Sequence, residues 1–193
     1  MTFLNSMAIN IKNFLISKDR KSKIGDFQDL DHIDGVALSV VSADLYKDPR
    51  DDLVLFYFRE GANYASVYTQ SKIISENIKW NLSLKGNTIK AMLVNTRNAN
   101  AFTGKMGFKG ITQIAEELSK RLTIKMANDE EDKNLVKPGE ILFGSTGTIG
   151  EKFPTEKINK AIPTLIDNIK YTQNKYLWIK AAMGIMTTDL LQK

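Results

Sequence analysis

The strongest constraint on this chain is a strand pattern that runs directly into a glycine-rich segment. Residues 140–143 form a short, mostly apolar run of the kind found in buried strands. Residues 144–150, Gly-Ser-Thr-Gly-Thr-Ile-Gly, follow, and a helical pattern starts after Pro154. Backbone N–H groups at such a strand end can bind an anion or a developing negative charge. We therefore expect this segment, here called the Gly loop, to stabilise a charged intermediate.

More strand patterns come earlier in the chain. Residues 35–41 and 52–58 are predicted to pair as an antiparallel hairpin, because residues 47–51 between them have the composition of a turn. Residues 64–69 and 90–95 are two further strand candidates. The amino-terminal half of the chain is therefore predicted to be rich in strands.

Helical patterns interrupt and follow these strands. Residues 71–80 are predicted to form a short helix. From Gly110 onward a set of apolar residues shares one helical face: Ile111, Ile114, Ala115, Leu118 and Leu122. A second stripe covers residues 158–169, where Pro163 predicts a kink or a broken start. A third helix is predicted to begin at residues 176–179.

The remaining segments complete the predicted architecture. The acidic run 128–132 is interpreted as a surface loop, and residues 184–189 are interpreted as a last strand. Strands come first and then alternate with helices, which is typical of an α/β (α+β layered) fold with a central mixed sheet flanked by helices. The chain has no internal repeat and no low-complexity linker, so one domain over residues 1–193 is the simplest interpretation.

Composition excludes several classes of protein. The absence of cysteine rules out disulfides, thiolate metal sites and a cysteine nucleophile. The net charge of +5 comes from lysines scattered along the chain, which favours a solvated surface over a nucleic-acid interface. No apolar run approaches the ~20 residues of a membrane span. Residues 1–16 lack a small-residue cleavage site and are interpreted as part of a mature, cytoplasmic protein.

Motifs for nucleotides and metals do not fit. The glycines at 144, 147 and 150 miss the G-x-G-x-x-G spacing of dinucleotide-binding loops by one residue. The P-loop pattern fails as well, because Met106 follows Gly104 and Lys105. The single histidine, His32, has acidic neighbours without zinc-ligand spacing, so neither a metal site nor a Ser-His-Asp triad is predicted.

Small polar residues follow three of the predicted strands. The clusters are Asn95, Asn98 and Asn100 within residues 95–104 (here called the Asn loop), Ser145, Thr146 and Gly147 in the Gly loop, and Thr187, Thr188 and Asp189. Asn and Thr often cap turns, but strand ends at one edge of a sheet can also bring such clusters together. A site of amides and hydroxyls without histidine suits acyl transfer by a threonine whose own α-amine acts as the base.

These clusters resemble motifs of the ornithine acetyltransferases, the glutamate N-acetyltransferases of arginine biosynthesis. Residues 94–104, V-N-T-R-N-A-N-A-F-T-G, resemble the family's V-N-S-G-N-A-N-A-x-T-G. Residues 145–150, S-T-G-T-I-G, resemble S-T-G-V-I-G, and residues 185–189, I-M-T-T-D, resemble I-M-T-T-D-T. The motifs occur in the family's order. The resemblance runs from about Gly35 to the C-terminus and leaves residues 1–34 as an N-terminal segment outside it.

The resemblance implies an enzyme that moves acetyl from N-acetylornithine to glutamate through an acetyl-threonine intermediate, without a cofactor. Family members cleave themselves before the nucleophilic threonine, which becomes the first residue of a second chain in a cytoplasmic heterotetramer. In the Ser-Thr-Gly motif, the threonine hydroxyl and the glycine N–H form the oxyanion hole. Carried over to this sequence, these groups belong to Thr146 and Gly147.

The same resemblance implies roles for the other two clusters. Either Thr187 or Thr188 is expected to contact the substrate. The asparagines of the Asn loop (Asn95, Asn98 and Asn100) are expected to support the site.

The sequence also departs from the family pattern. Arg97 and Leu190 replace a glycine and a threonine of the motifs, and Gln192 stands where a proline is usual. The sequence ends at Lys193, before the family's cleavage-site threonine and a substrate-binding lysine. We therefore expect an α-chain-like portion that is inactive alone and exposes apolar surface. It is either a piece of a longer precursor or a truncated product that needs a separate C-terminal β-chain to supply the nucleophile.

Two alternatives stay open from the sequence. A basic module that binds a phosphate ligand or nucleic acid is supported by the net charge and the Gly loop. The departures at Arg97 and Leu190 are compatible with an inactive, truncated remnant of the enzyme.

Overall fold

A mixed four-stranded sheet forms the centre of the part of the chain that the structure, a computed structural model, describes: residues 30–130 and 135–188. The strands are β1 (Val36–Val41), β2 (Leu53–Asn63), β3 (Thr88–Asn95) and β4 (Ile141–Ser145), and they lie side by side in that order. β1 and β2 form the predicted antiparallel hairpin, β2 and β3 are also antiparallel, and β3 and β4 are parallel. The predicted mixed sheet is confirmed.

Helices cover both faces of this sheet. They are α1 (Glu76–Ser83), α2 (Gly104–Glu130), α3 (Thr155–Asp167) and α4 (Lys175–Gly184). Alternate residues of β2 face opposite layers: Leu53 and Leu55 join the core under α1, α2 and α3, whereas Val54 packs with α4 on the other face. The predicted layered fold is therefore confirmed, with α4 alone among the described helices on its face of the sheet.

Helix α2 is longer than its sequence pattern indicates. It begins at Gly104 instead of Gly110 and runs to Glu130. The apolar stripe continues past Leu122 to Met126, which is also buried and holds the last turns against the core. The predicted acidic loop is consequently wrong for residues 128–130, which are helical, and residues 131 and 132 lie outside the described residues.

The predicted strand at residues 64–69 is wrong. β1 and β3 occupy both sides of β2, so this segment has no edge of β2 left to pair with, and Val67 is 98% exposed. The following helix begins at Glu76 and not at residue 71, because the Ser75 side chain accepts a hydrogen bond from the N–H of Ile78 (3.4 Å) and caps it.

The predicted strand at residues 184–189 is also wrong where the structure describes it. Gly184 is the last residue of α4, and residues 185–188 follow it without strand pairing. A Cβ at Gly184 would lie 2.7 Å from Val54 Cγ2, so the predicted strand begins where the end of α4 packs closely on the sheet. Asp189, Leu190 and Gln192 lie outside the described residues, as do residues 1–29.

The proline inside α3 does not break the helix. α3 continues unbroken through Pro163, because buried residues before and after it, including Ile158 and Leu165, hold the helix on the core. No helix within the described residues is long and apolar enough to cross a membrane.

Candidate active site

The parallel pairing of β3 with β4 places the Asn loop beside the Gly loop. Asn95 and Ser145 are register partners where the two strands end. The ladder continues into the loops, because the N–H of Thr146 donates to the Asn95 carbonyl (3.1 Å) and the N–H of Thr148 donates to the Arg97 carbonyl (2.9 Å). The structure thus brings together two polar clusters that are separated in the sequence.

The Gly loop is an extended ribbon and not an anion cradle. Besides Thr146 and Thr148, Gly150 donates its N–H to the Ala101 carbonyl (2.9 Å), so every second amide is used by the Asn loop. A phosphate-binding nest needs successive N–H groups that converge on one point. This pairing therefore gives no support to the phosphate-binding alternative.

Two adjacent donors of the Gly loop remain unused. Within the described residues, neither the N–H of Gly147 nor the hydroxyl of Thr146 has a hydrogen-bond partner. Thr146 is half-buried and Gly147 is exposed. A reacting group at this surface would meet a backbone donor and a side-chain donor from consecutive residues.

Gly147 lies directly against the backbone of the Asn loop. Its φ of +140° is one that residues with side chains rarely adopt. A Cβ added there would lie 2.6 Å from the backbone N of Asn98 and closer still to the Arg97 carbonyl. The approach of the two loops, and with it the presentation of the Gly147 N–H, therefore requires glycine.

The asparagines of the Asn loop are buried and shape the loop. Asn95 donates to the carbonyls of Thr96 (3.1 Å) and Asn98 (3.0 Å). The Oδ1 of Asn98 accepts the N–H of Asn100 (2.8 Å). Asn98 also donates to the carbonyl of Glu151 (3.2 Å), just after the Gly loop. The polar atoms of these side chains bond to other groups of the protein, as expected for residues that support the site.

Backbone strain is concentrated in the same loop. Arg97, Asn100 and Phe102 have φ values of +74°, +48° and +58°. Asn tolerates this left-handed region, but for Arg and Phe it costs roughly 1–2 kcal/mol each. Strained residues of this kind gather at functional sites when the surrounding structure holds them in place. Of these three residues, Arg97 has its backbone directly against Gly147.

The segment that leads to Thr187 and Thr188 is held at the β1–β2 connection. Arg50, in the β1–β2 connection, donates from Nη2 to the carbonyls of Met183 (3.2 Å) and Met186 (2.7 Å). This contact fixes the C-terminal end of α4 beside the beginning of β2. The structure thus pairs the Asn loop with the Gly loop, whereas Thr187 and Thr188 follow directly after the Met186 carbonyl that is held at the β1–β2 connection.

Two neighbouring carboxyl groups that the sequence patterns did not single out organise this connection. The Asp52 side chain is buried and accepts the N–H groups of Ala43 (2.6 Å) and Leu45 (2.8 Å), and its carbonyl accepts the N–H of Thr96 (2.9 Å). Burial raises the pKa of both Asp51 and Asp52. The ammonium of Lys180, 3.5 Å away, opposes the rise in the pKa of Asp51, and the N–H groups of Ala43 and Leu45 oppose it at Asp52. Asp52 thereby ties the β1–β2 connection to the Asn loop.

Side chains of α1 occupy the free edge of β4. Trp80 Nε1 donates to the Ile141 carbonyl (2.9 Å), and Asn81 pairs with both the N–H (3.0 Å) and the carbonyl (2.9 Å) of Phe143. Asn77 donates to Ser145 Oγ (2.6 Å). None of the sequence motifs includes these residues. Asparagine is a poor helix former, so Asn77 and Asn81 four residues apart in a short helix were the available signal.

Groups that could hold a metal are absent from the described parts of the chain, where no three His, Asp or Glu side chains gather. The imidazole Nε2 of His32 lies 3.2 Å from a carboxylate oxygen of the exposed Asp34, away from the paired loops. The candidate site is therefore built from backbone amides, carboxamides and hydroxyls.

The model of the ArgJ family matches residues 37–193. The chain belongs to the ArgJ family. The match covers all three motifs on which the predicted resemblance rests, and that resemblance is confirmed. Two curated relatives are named arginine biosynthesis bifunctional protein ArgJ. The one from Pseudomonas fluorescens is 33% identical over 170 residues, and the one from Nitrobacter winogradskyi is 35% identical over 173 residues.

The matched region is a part of these ArgJ relatives. It covers 88% of this chain but 38% of the Pseudomonas fluorescens protein, and 87% of this chain but 38% of the Nitrobacter winogradskyi protein. The chain therefore spans well under half the length of the ArgJ proteins it resembles.

Solved structures from the same family share the fold. Ornithine acetyltransferase complexed with ornithine from Mycobacterium tuberculosis has a TM-score of 0.71 and 25% identity, over 81% of this chain and 77% of that chain. An ArgJ protein from Bacillus halodurans has a TM-score of 0.68 and 24% identity, over 82% and 75% of the two chains. The layered architecture described above is thus that of ArgJ proteins.

Arg97 is the departure from the ArgJ motif that the structure explains. Its left-handed φ is the conformation that a glycine adopts without strain. The guanidinium donates to Thr148 Oγ1 (2.8 Å) and forms an ion pair with Glu151 (2.8 Å). The arginine thus keeps a glycine-like backbone and adds a second link between the two loops.

We expect Arg97→Gly to leave the free energy of unfolding within about 1 kcal/mol of the wild type. Glycine relieves roughly 1–2 kcal/mol of backbone strain, whereas an ion pair this exposed (side chains 37% and 48% accessible) contributes about 0–1 kcal/mol. Arg97→Ala loses the ion pair and keeps the strain, so it should be about 1 kcal/mol less stable than Arg97→Gly. Urea denaturation measures the free energy of unfolding of both variants. If Arg97→Ala is as stable as Arg97→Gly, the backbone at residue 97 is not strained.

Proposed function

We propose that this chain forms one half of an acetyltransferase that moves acetyl from N-acetylornithine to glutamate in arginine biosynthesis. The observation that carries the proposal is the pair of unused donors at the end of β4, the Thr146 hydroxyl and the Gly147 N–H. Donors fixed before the reaction at the point where negative charge develops stabilise an acyl-transfer transition state. The ArgJ relatives and the ornithine-bound structure support the substrate class.

The proposed reaction has two halves. A threonine on a C-terminal β-chain attacks the acetyl carbonyl of N-acetylornithine, and the carbonyl oxygen becomes negative in the tetrahedral intermediate. The α-amine of the threonine takes the hydroxyl proton and passes it to the nitrogen of ornithine. Thr146 and Gly147 donate to the negative oxygen, the C–N bond breaks, ornithine leaves as the amine, and acetyl stays on the threonine. Glutamate then accepts the acetyl group through a second tetrahedral intermediate in the same oxyanion hole. No cofactor takes part in either step.

The Asn loop and the end of α4 are assigned supporting roles. Asn95 accepts from Ser145 in the Gly loop, Asn98 donates to the Glu151 carbonyl just after it, and Asn100 joins the Asn loop to Asn77 on α1. Thr187 or Thr188 is proposed to contact the amino-acid part of the substrate from the β1–β2 side of the site. If the chain is instead an inactive remnant of the enzyme, it should fold and assemble but transfer no acetyl.

We expect no acetyl transfer by this chain alone, because the proposal places the nucleophile on the β-chain. Acetyl exchange from N-acetylornithine to glutamate should appear when the chain is co-expressed with a C-terminal half that carries the nucleophilic threonine. The assay uses labelled acetyl and compares the lone chain, the co-expressed pair, and the pair with the nucleophile replaced by alanine.

This assay, together with a separate binding measurement, distinguishes the proposal from its alternatives. Turnover by the lone chain would contradict the placement of the nucleophile. A soluble, assembled pair without turnover would favour the inactive remnant. Binding of inorganic phosphate or nucleic acid that weakens with salt would favour the basic binding module.

A further inference from the structure

Two asparagines one turn apart on α1 hold different parts of β4. Asn81 contacts only the backbone of Phe143, within the strand. Asn77 contacts Ser145, the last residue of the strand and the neighbour of Thr146. The same helix therefore fixes both the strand and the point where the Gly loop leaves it.

Asn77 also binds the other loop. Its Oδ1 accepts from Asn100 Nδ2 (2.9 Å), and the preceding N–H, that of Glu76, donates to the Asn100 carbonyl (2.9 Å). Asn100 Oδ1 in turn accepts the hydroxyl of Thr103 (2.7 Å). One carboxamide, only 3% exposed, thus links the Asn loop to the Gly loop.

The direction of each hydrogen bond follows from the network. The Nδ2 of Asn95 donates to two carbonyls, so its Oδ1 faces Ser145 and must accept the Ser145 hydroxyl proton. The Ser145 oxygen can then only accept from Asn77. Asn77 must therefore donate, and a side chain without an N–H at this position leaves Ser145 without its second partner.

We propose that Asn77 is a positioning residue of the acyl-transfer site: it fixes the Ser145 side chain and, through it, the backbone that presents the Thr146 hydroxyl and the Gly147 N–H. This inference rests on the proposed function and adds to it a residue outside all three sequence motifs. Asn77 lies on α1 and acts on the reacting groups only through Ser145. A small displacement of oxyanion donors is costly, because donor geometry decides how well the transition state is stabilised.

Amide hydrogen exchange tests the positioning step without any need for acetyl transfer. The Thr146 N–H is bonded to the Asn95 carbonyl, so its exchange rate reports how firmly the Gly loop is held. Asn77→Ala should speed exchange at Thr146 about tenfold or more while the amides of β2 stay unchanged. Asn81→Ala, the matched control on the same helix, should speed exchange at Phe143 and leave Thr146 unchanged.

Kinetics of the co-expressed pair test the consequence for catalysis. Asn77→Ala should lower kcat about 10- to 100-fold with KM nearly unchanged, whereas Asn81→Ala should keep kcat within about twofold of wild type. Ser145→Ala should lower kcat by a similar factor. The double variant Asn77→Ala/Ser145→Ala should be no slower than the slower single variant, because both changes break the same link.

Several results would overturn the inference. One is an unchanged exchange rate of the Thr146 N–H in Asn77→Ala. Another is an equal change of that exchange rate in Asn77→Ala and Asn81→Ala. The third is a kcat of the double variant that falls by the product of the two single losses. If Asn77→Ala does not fold, Asn77→Asp replaces it in the test. Aspartate keeps the side-chain shape and the bond from Asn100 but removes the donor to Ser145. The N–H of Thr146 in this variant should also exchange about tenfold faster or more than in the wild type. Absence of transfer by the wild-type pair would overturn the proposed function, whereas the exchange data judge the positioning step independently.

Discussion

Thr146→Ala is expected to lower the rate of acetyl transfer by the assembled pair roughly 10²- to 10³-fold, with little change in KM. The hydroxyl has no partner among the described residues, so its removal leaves no buried group unsatisfied and should not weaken the fold. The loss therefore measures stabilisation of the oxyanion. Initial rates of acetyl exchange at saturating N-acetylornithine and glutamate give the value.

Two matched variants sharpen this test. Thr146→Ser keeps a hydroxyl at the same place and should restore the rate to within about tenfold of wild type. Thr148→Ala removes a hydroxyl from the same loop that only accepts from Arg97, and it should leave kcat nearly unchanged. A Thr146→Ala variant as active as the wild type would remove this hydroxyl from the proposed oxyanion hole.

Gly147→Ala should abolish measurable transfer and also weaken the contact between the two loops. The new methyl group would lie 2.6 Å from the backbone N of Asn98, where only backbone movement can relieve the clash. The change would therefore turn the Gly147 N–H away from its place and disturb the ladder between Asn95 and Ala101. A lowered melting temperature together with a loss of at least 10³ in rate is the expected result.

Gly139→Ala is the control for this substitution. Gly139 lies in the turn before β4, has an ordinary φ, and has no atom within 4 Å of an added Cβ. Its replacement should change neither the rate nor the melting temperature appreciably. A Gly147→Ala variant with the stability and rate of Gly139→Ala would contradict the close approach of the two loops.

Local patterns predicted the main elements because they depend on neighbours in the chain. The strand-like composition of residues 35–41 and 52–58, with turn residues between them, predicts the β1–β2 hairpin. The stripe from Ile111 onward predicts the core face of α2. Predictions failed where the outcome depends on distant partners. Residues 64–69 have a strand-like composition but no free edge beside β2. Residue 184 ends a helix that packs on Val54, and residues 185–188 follow that helix.

The site residues also divide into those that local motifs predict and those that depend on distant partners. The motifs placed Thr146 and Gly147 at a strand end and named the asparagines of the Asn loop as support. Nothing in the motifs indicated α1, because Asn77 is 68 positions away from Ser145 and its hydrogen bond exists only in the folded chain. Arg50 is farther still along the chain from the carbonyls of Met183 and Met186 that it binds, 133 and 136 positions away.

The sequence by itself determined the family, the layered α/β class and the identity of the Gly loop, because these depend on residue order and local periodicity. Only the tertiary structure decided which groups of that loop are free. Parallel pairing with the Asn loop uses the N–H groups of Thr146, Thr148 and Gly150, and the amides of Asn77 and Asn95 use Ser145. Within the described residues, the Thr146 hydroxyl and the Gly147 N–H are adjacent donors left without a partner, and the N–H of Ile149 is free as well. A donor is available to a ligand only when no folded neighbour has taken it.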